Sequence, residues 1–175
     1  MTEMFLAPFD AMWRETGCWF RAMEDVRASL KASVADVPAA DLARSAGAGT
    51  PTIAQLLCHN GLAEVVWITK VWRSEPIPDS WKVWFERGRL DKGAPIPADA
   101  TSEQIFLWLD EVREKTRLTL LKVTDKELDR RIAKTTKGTA SLRWILYHLV
   151  EHEAHHRGQI CLIRRLLGTP PARTA

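Results

Sequence analysis

Two histidines stand in the middle of an otherwise apolar helix stripe, and that placement constrains the chain more than any other feature. Leu142, Ile145, Leu149, His152, His156, Gln159, Ile163 and Leu166 step by three and four residues throughout. Such spacing is one face of an amphipathic helix. With Ser141 before it and Gly168 and Pro170 after it, the pattern predicts a helix over about residues 141–167. At 100° per residue His152 and His156 lie about 40° apart, so both rings project from the centre of the buried face. A buried polar group without a partner costs roughly 1–3 kcal/mol, so two imidazoles there need a common solution. A shared metal ion satisfies both, and His at i and i+4 is a recurring ligand pair. The plainer alternative is a pair of core histidines bonded to backbone or to each other.

The same periodicity predicts three further long helices. The first covers about residues 8–33, with Phe9, Met12, Trp13, Phe20, Met23 and Val26 on its apolar side, and Pro38 and the Gly/Ala-rich stretch 45–50 end it. Thr50 and Pro51 open a second helix that runs to about residue 73 and stops before Pro76 and Pro78. Residues 75–100 hold four of the nine prolines plus Gly88 and Gly93, and read as loop with one short helix over 81–87. A third helix opens at Asp99 or Thr101 and reaches about residue 123, with Ile105, Leu109, Val112 and Leu120 inward. Thr124 and Glu127 have capping-box spacing for a short turn. No segment alternates at period two for long, the nearest being 131–136. Four such helices in 175 residues predict an all-α four-helix bundle, one domain over residues 1–175, with connections long enough to cross over the bundle.

Composition narrows the function classes. Twenty-five Lys and Arg against 22 Asp and Glu leave +3, spread along the chain, which argues against a nucleic-acid partner. No run approaches the ~18 apolar residues of a membrane span. Residues 1–9 lack the basic and apolar regions of a targeting signal. A cytoplasmic protein without a membrane partner is therefore expected. Cys18, Cys58 and Cys161 are widely spaced, so neither a disulfide framework nor a four-cysteine zinc site is expected, and Cys58 reads as a core thiol.

His59 shares a helix face with Thr52, Leu56, Ala63 and Val66, points inward, and is the expected third ligand beside His152 and His156. Three nitrogens leave a coordination position open, which is the catalytic rather than the structural zinc pattern. His148 and His155 flank the stripe as orienting or edge residues, and His155 is an alternative to His156. Gln159 stands one turn past His156 and is a candidate to bond a ligand or substrate. His152-Glu153-Ala154-His155-His156 spells a zinc-peptidase string whose Glu would be a general base, but residues 157–175 offer no His, Asp or Glu as a downstream ligand. Glu153, about 80° from the centre of the pair, remains a candidate catalytic group, and neither it nor Glu64 is expected to face inward. Trp81, Trp84 and Phe85 should anchor their loop, either over the open metal position or at one bundle end. Gly158 interrupts the last helix on a face turned from the histidines, as a contact with a second copy or a tolerated glycine would explain.

The segment HLVEHEAHHRGQI at 148–160, the TIAQLLCH run ending at His59, Glu64 and Trp67 after it, and the exit GTPP resemble the DinB/YfiT-like superfamily. The resemblance covers nearly the whole chain in length and helix order. It implies a four-helix bundle with crossover connections, usually a homodimer. It also implies a divalent metal on three histidines that correspond to His59, His152 and His156, with zinc first and nickel, iron or manganese as alternatives. Some such proteins are S-transferases or isomerases that use a low-molecular-weight thiol. A small-molecule substrate and a thiol-activating, S-transferase-like enzyme are thereby implied. The alternatives are a metal-dependent hydrolase and a non-catalytic metal- or small-molecule-binding bundle.

Overall fold

Three of the long helices begin where the sequence supplies its own cap. Thr52 and Gln55 form a reciprocal capping box at the start of α3 (Ile53–Glu64), and Thr101 and Gln104 do the same for α5 (Ser102–Leu120). Ser141 accepts from the Trp144 amide at the start of α6 (Leu142–Leu166). These elements come from a computed structural model of the protein, which describes residues 7–92, 94–135 and 138–170. Residues 1–6, Gly93, Thr136 and Pro171, to which the sequence assigns no targeting signal, a loop, a strand end and a helix exit, lie outside them.

The first helix departs from expectation. Helix α1 runs Arg14–Val34 rather than from residue 8, because Ala11 adopts a left-handed φ of 64° that interrupts any helical path. Its cap comes from far along the chain. Asp125, in a short 3₁₀ turn (Asp125–Glu127), accepts from the Glu15 and Thr16 amides at 2.9–3.1 Å and from the Thr16 hydroxyl at 3.1 Å. Trp13, expected on the apolar side, is 57% exposed.

Helix α1 packs along α6 and α5, and α3 packs along the same two, so α1 faces α3 across the bundle. The connections from α1 to α3 and from α5 to α6 therefore cross it. The first carries the single turn α2 (Ala39–Leu42), and the link from α3 to α5 carries α4 (Asp79–Arg87), the short helix expected at 81–87. The second crossover holds a hairpin of β1 (Arg131–Thr135) and β2 (Gly138–Ser141), paired antiparallel with Lys134 opposite Thr139. Strands of five and four residues are too short for a period-two pattern to register in sequence. The second long helix also changes character: beyond Glu64 it continues as a π-helical segment, Val65–Trp72. Such segments are rare and concentrate at functional sites.

The apolar core is split in two. One cluster contains Leu30, Val34, Ile53, Leu56, Ile105, Leu109, Ile160 and Ile163. The other contains Phe20, Met23, Ile68, Leu120, Ile145 and Leu149. Gly61 lets α3 and α5 approach closely, since a Cβ there would stand 2.4–2.5 Å from side-chain atoms of Trp108 and Leu109. Gly61→Ala should therefore destabilise the fold by about 1–3 kcal/mol, the usual range for overpacking, as read from urea unfolding midpoints. An unchanged midpoint would contradict this close packing.

Candidate metal centre

Helices α3 and α6 bring His59, His152 and His156 together midway along the bundle. One ring nitrogen from each lies within 4.8 Å of the other two. The Nε2 atoms of His152 and His156 are 3.2 Å apart. Two nitrogens on one tetrahedral ion, each at about 2.0–2.1 Å, would be separated by about 3.3–3.4 Å. His148 and His155 stay outside this cluster. His148 stacks on Trp144 at 4.9 Å and meets Trp67 edge-on at 5.6 Å, while His155 is exposed beside the His156 ring.

Neighbouring acceptors orient two of the rings. The Gly88 carbonyl lies 2.8 Å from His59 Nδ1. Because a carbonyl only accepts, Nδ1 carries the proton and Nε2 keeps its lone pair. Gln159 Oε1 does the same for His156 Nδ1 at 2.7 Å. Gln159, a candidate catalytic group by sequence, is thus placed to hold a ring, as an outer-shell partner of a metal ligand does. Gly88 must be glycine for this to happen. A Cβ there would stand 2.5 Å from the Cys58 carbonyl oxygen, so any side chain would hold the end of α4 away from His59.

The electrostatics favour unprotonated rings. Burial, reinforced by the neighbouring imidazoles, pushes His152 down to about 3, and burial also lowers His156. Neutral imidazoles with converging lone pairs are the donor set that zinc, nickel, copper or iron(II) accepts, so these residues fit a divalent ion. Cys58, next to His59, is buried in the core and its thiol is pushed up to about 12 by desolvation. It is not a nucleophile.

Phe85, alone of the three loop aromatics, borders the histidines. It lines a cavity of about 380 Å³ with His59, Leu62, Val66, Arg89, Leu90 and Asp91. Trp81 is buried in the core and donates its indole N–H to Glu111, and Trp84 lines a separate cavity with Arg87 and Trp108. The loop is therefore partly structural and partly a wall of the site.

Glu64 and Glu153 require a correction. Helix periodicity turns both away from the interior, yet both are buried, at 2% and 4% exposure, held by Arg27 and Arg113. Burial alone would raise the Glu64 carboxyl, but the two guanidinium charges hold it below its ordinary value. A sequence signal for this exists. Arg27 occupies the core spacing of Phe20, Met23, Leu30 and Val34, and Arg113 that of Leu109, Thr116 and Leu120. An arginine at a core position asks for a buried acid. Gly158 faces outward, and a Cβ added there would meet nothing within 4 Å, so no packing inside the monomer accounts for it.

Comparison with known proteins adds the following. A family model described as mycothiol-S-transferase matches residues 19–168. Among solved structures, YfiT from Bacillus subtilis, described as a probable metal-dependent hydrolase with an unusual four-helix bundle topology, aligns with TM-score 0.64 and 22% identity. That alignment covers 87% of each chain. A conserved protein from Enterococcus faecalis aligns with TM-score 0.62 and 15% identity over 87% of this chain and 97% of its own. At these identities the likeness concerns the fold, a DinB/YfiT-type bundle as the sequence implies. No curated protein matches the chain. Among the described residues no helix is long and apolar enough to cross a membrane.

The metal-free protein should lose stability between pH 7 and pH 5. Folded His152 stays neutral down to about 3, whereas the same ring takes a proton near 6.5 when unfolded. The unfolded state then binds more protons in this window, so stability falls as pH falls. Glu64 acts in the same direction, but only at and below its ordinary carboxylate range near 4.5. Urea midpoints at pH 7 and 5 should fall further for the wild type than for His152→Asn. Equal falls would contradict a buried neutral ring.

Proposed function

The chain belongs to the mycothiol-S-transferase family, and from that premise we propose that it is a metal-dependent enzyme that joins an intact small thiol through its sulfur to an apolar electrophile, the S–H bond breaking with release of its proton as the new bond to sulfur forms. The convergence of His59, His152 and His156, with two rings fixed by Gly88 and Gln159, carries the proposal. Zinc suits three nitrogen donors with a position left open. When bound, a divalent ion lowers the pKa of a thiol that ligates it and makes the sulfur nucleophilic near neutral pH.

The chain's own residues supply the rest. The Gly88 carbonyl and Gln159 hold their rings so that Nε2 faces the centre. Leu62, Val66, Phe85 and Leu90 line the cavity beside His59, where they seat the electrophile's apolar body and exclude water. Hydrolysis, as in the description of YfiT, is the weaker reading. It calls for a base or a polarising partner near the metal, and the two buried carboxylates on the ligand helices, Glu64 and Glu153, are both paired with arginines.

A homodimer and a cytoplasmic location belong to the same proposal. Trp144, Tyr147, Leu162 and Leu166 are exposed at 43–64% along the outward face of α6, in line with the open Gly158. A second copy would cover this stripe. Light scattering should give twice the chain mass at micromolar concentration, and a monomer there would remove the dimer.

Metal content and thiol conjugation test the function together. Protein purified without an affinity tag should hold about one divalent ion per chain. His59→Ala, His152→Ala and His156→Ala should each lose most of it, and His148→Ala much less. Removal of the metal should abolish conjugation of thiols to an apolar electrophile, and zinc should restore it. Phe85→Ala should raise KM for the electrophile more than it lowers kcat. Conjugation at full rate without metal would contradict the proposal.

A further inference from the structure

Four buried charges form a layer across the middle of the bundle, one from each long helix. They are Arg27 of α1, Glu64 of the α3 helix, Arg113 of α5 and Glu153 of α6, and all are 5% exposed or less. Arg27 Nε donates to Glu153 Oε1 at 2.5 Å, and its Nη2 reaches Glu64 Oε2 at 3.2 Å and Glu153 Oε2 at 3.3 Å. Arg113 donates to both Glu64 oxygens at 2.9 and 3.2 Å and to Glu153 Oε2 at 3.1 Å. Each arginine thus bridges both carboxylates. Each is also fixed to a neighbouring helix, Arg27 at the Leu109 carbonyl and Arg113 at the Met23 carbonyl.

The two carboxylates belong to the helices that carry the histidines. Glu153 directly follows His152 and precedes His156 by three residues, and Glu64 follows His59 by one helical turn and a residue. We infer that this ring of ion pairs is the positioning device of the centre: Arg27 and Arg113 set the spacing and register of α3 and α6, and so the convergence of His59 with His152 and His156. The inference rests on the metal reading above. Its physical basis is directionality. Apolar contacts are non-directional and leave helices free to slide, whereas guanidinium forks on carboxylates fix distance and angle. Ligand distances must hold to about 0.2 Å, which calls for the second kind of contact. Stability alone does not explain the layer, since apolar residues of like volume often replace a buried ion pair without loss.

The double variant Arg113→Met/Glu153→Leu removes one charge of each sign, leaves the Arg27–Glu64 pair, and cuts α6 out of the ring. Arg113→Lys keeps the charge without the fork and serves if the double variant does not fold. Zinc affinity by chelator competition and the melting temperature of the metal-free protein are measured side by side, with His152→Ala as the ligand control. The expected result is a tenfold or greater loss of zinc affinity, as for outer-shell groups of metal sites, in variants whose metal-free melting temperature stays close to wild type. A folded variant that binds zinc as the wild type does would overturn the inference. If the wild type binds no zinc, or His152→Ala binds it equally, the metal reading fails by itself. The imidazole ¹⁵N signals of metal-free His152 and His156 then decide: signals displaced in the variants support positioning, and unchanged signals overturn it.

Discussion

The structure depends on four charges placed where an apolar core would ordinarily be continuous. Arg27, Glu64, Arg113 and Glu153 lie between the two apolar clusters, and each long helix contributes one. Burying a charge costs several kcal/mol, and only a partner with good geometry offsets it. Here each guanidinium bridges Glu64 and Glu153, each of these carboxylates meets both guanidiniums, and Arg113 also binds Glu24 at the rim. A slip by one turn on one of these helices would carry its charge away from these partners, so the layer favours the observed register. The layer adds specificity more than stability.

The histidines sit against that layer and inherit its order. His152 and Glu153 are consecutive on α6, so a helix rotation that serves one also sets the other. The final orientation comes from shorter-range contacts. The end of α4 reaches His59 because Gly88 has no side chain, and Gln159 reaches His156 from the next turn. Beyond Glu64 the π-helical segment places Val66 at the cavity beside His59 and Trp67 against Trp144 and His148.

Much of this is legible in the sequence, for identifiable reasons. The long helices announce themselves through periodicity and caps, and Thr101 and Ser141 begin theirs as expected, whereas α3 is capped by Thr52 and not by the expected Thr50, since Thr52 is the residue whose hydroxyl meets the Gln55 amide. The convergence of three histidines follows from two helix faces. The start of α1 is not legible, because its cap is Asp125, more than one hundred residues away, and a left-handed Ala11 carries no sequence signature. Glu64 and Glu153 mislead because each, weighed only on its own helix, falls away from the stripe. Their burial is decided by Arg27 and Arg113 on the facing helices, and only the four taken together make it favourable. The roles of Gly88 and Gln159 likewise depend on what approaches them in space.

X-ray absorption on the zinc-loaded protein addresses the central claim most directly. The account expects a first shell of nitrogen or oxygen atoms at about 2.0–2.1 Å, with the outer scattering of three imidazoles. It expects one of those imidazoles to disappear in each of His59→Ala, His152→Ala and His156→Ala, if enough metal remains to record. A sulfur shell near 2.3 Å, or a spectrum that keeps all its imidazoles when His59 is removed, would contradict it.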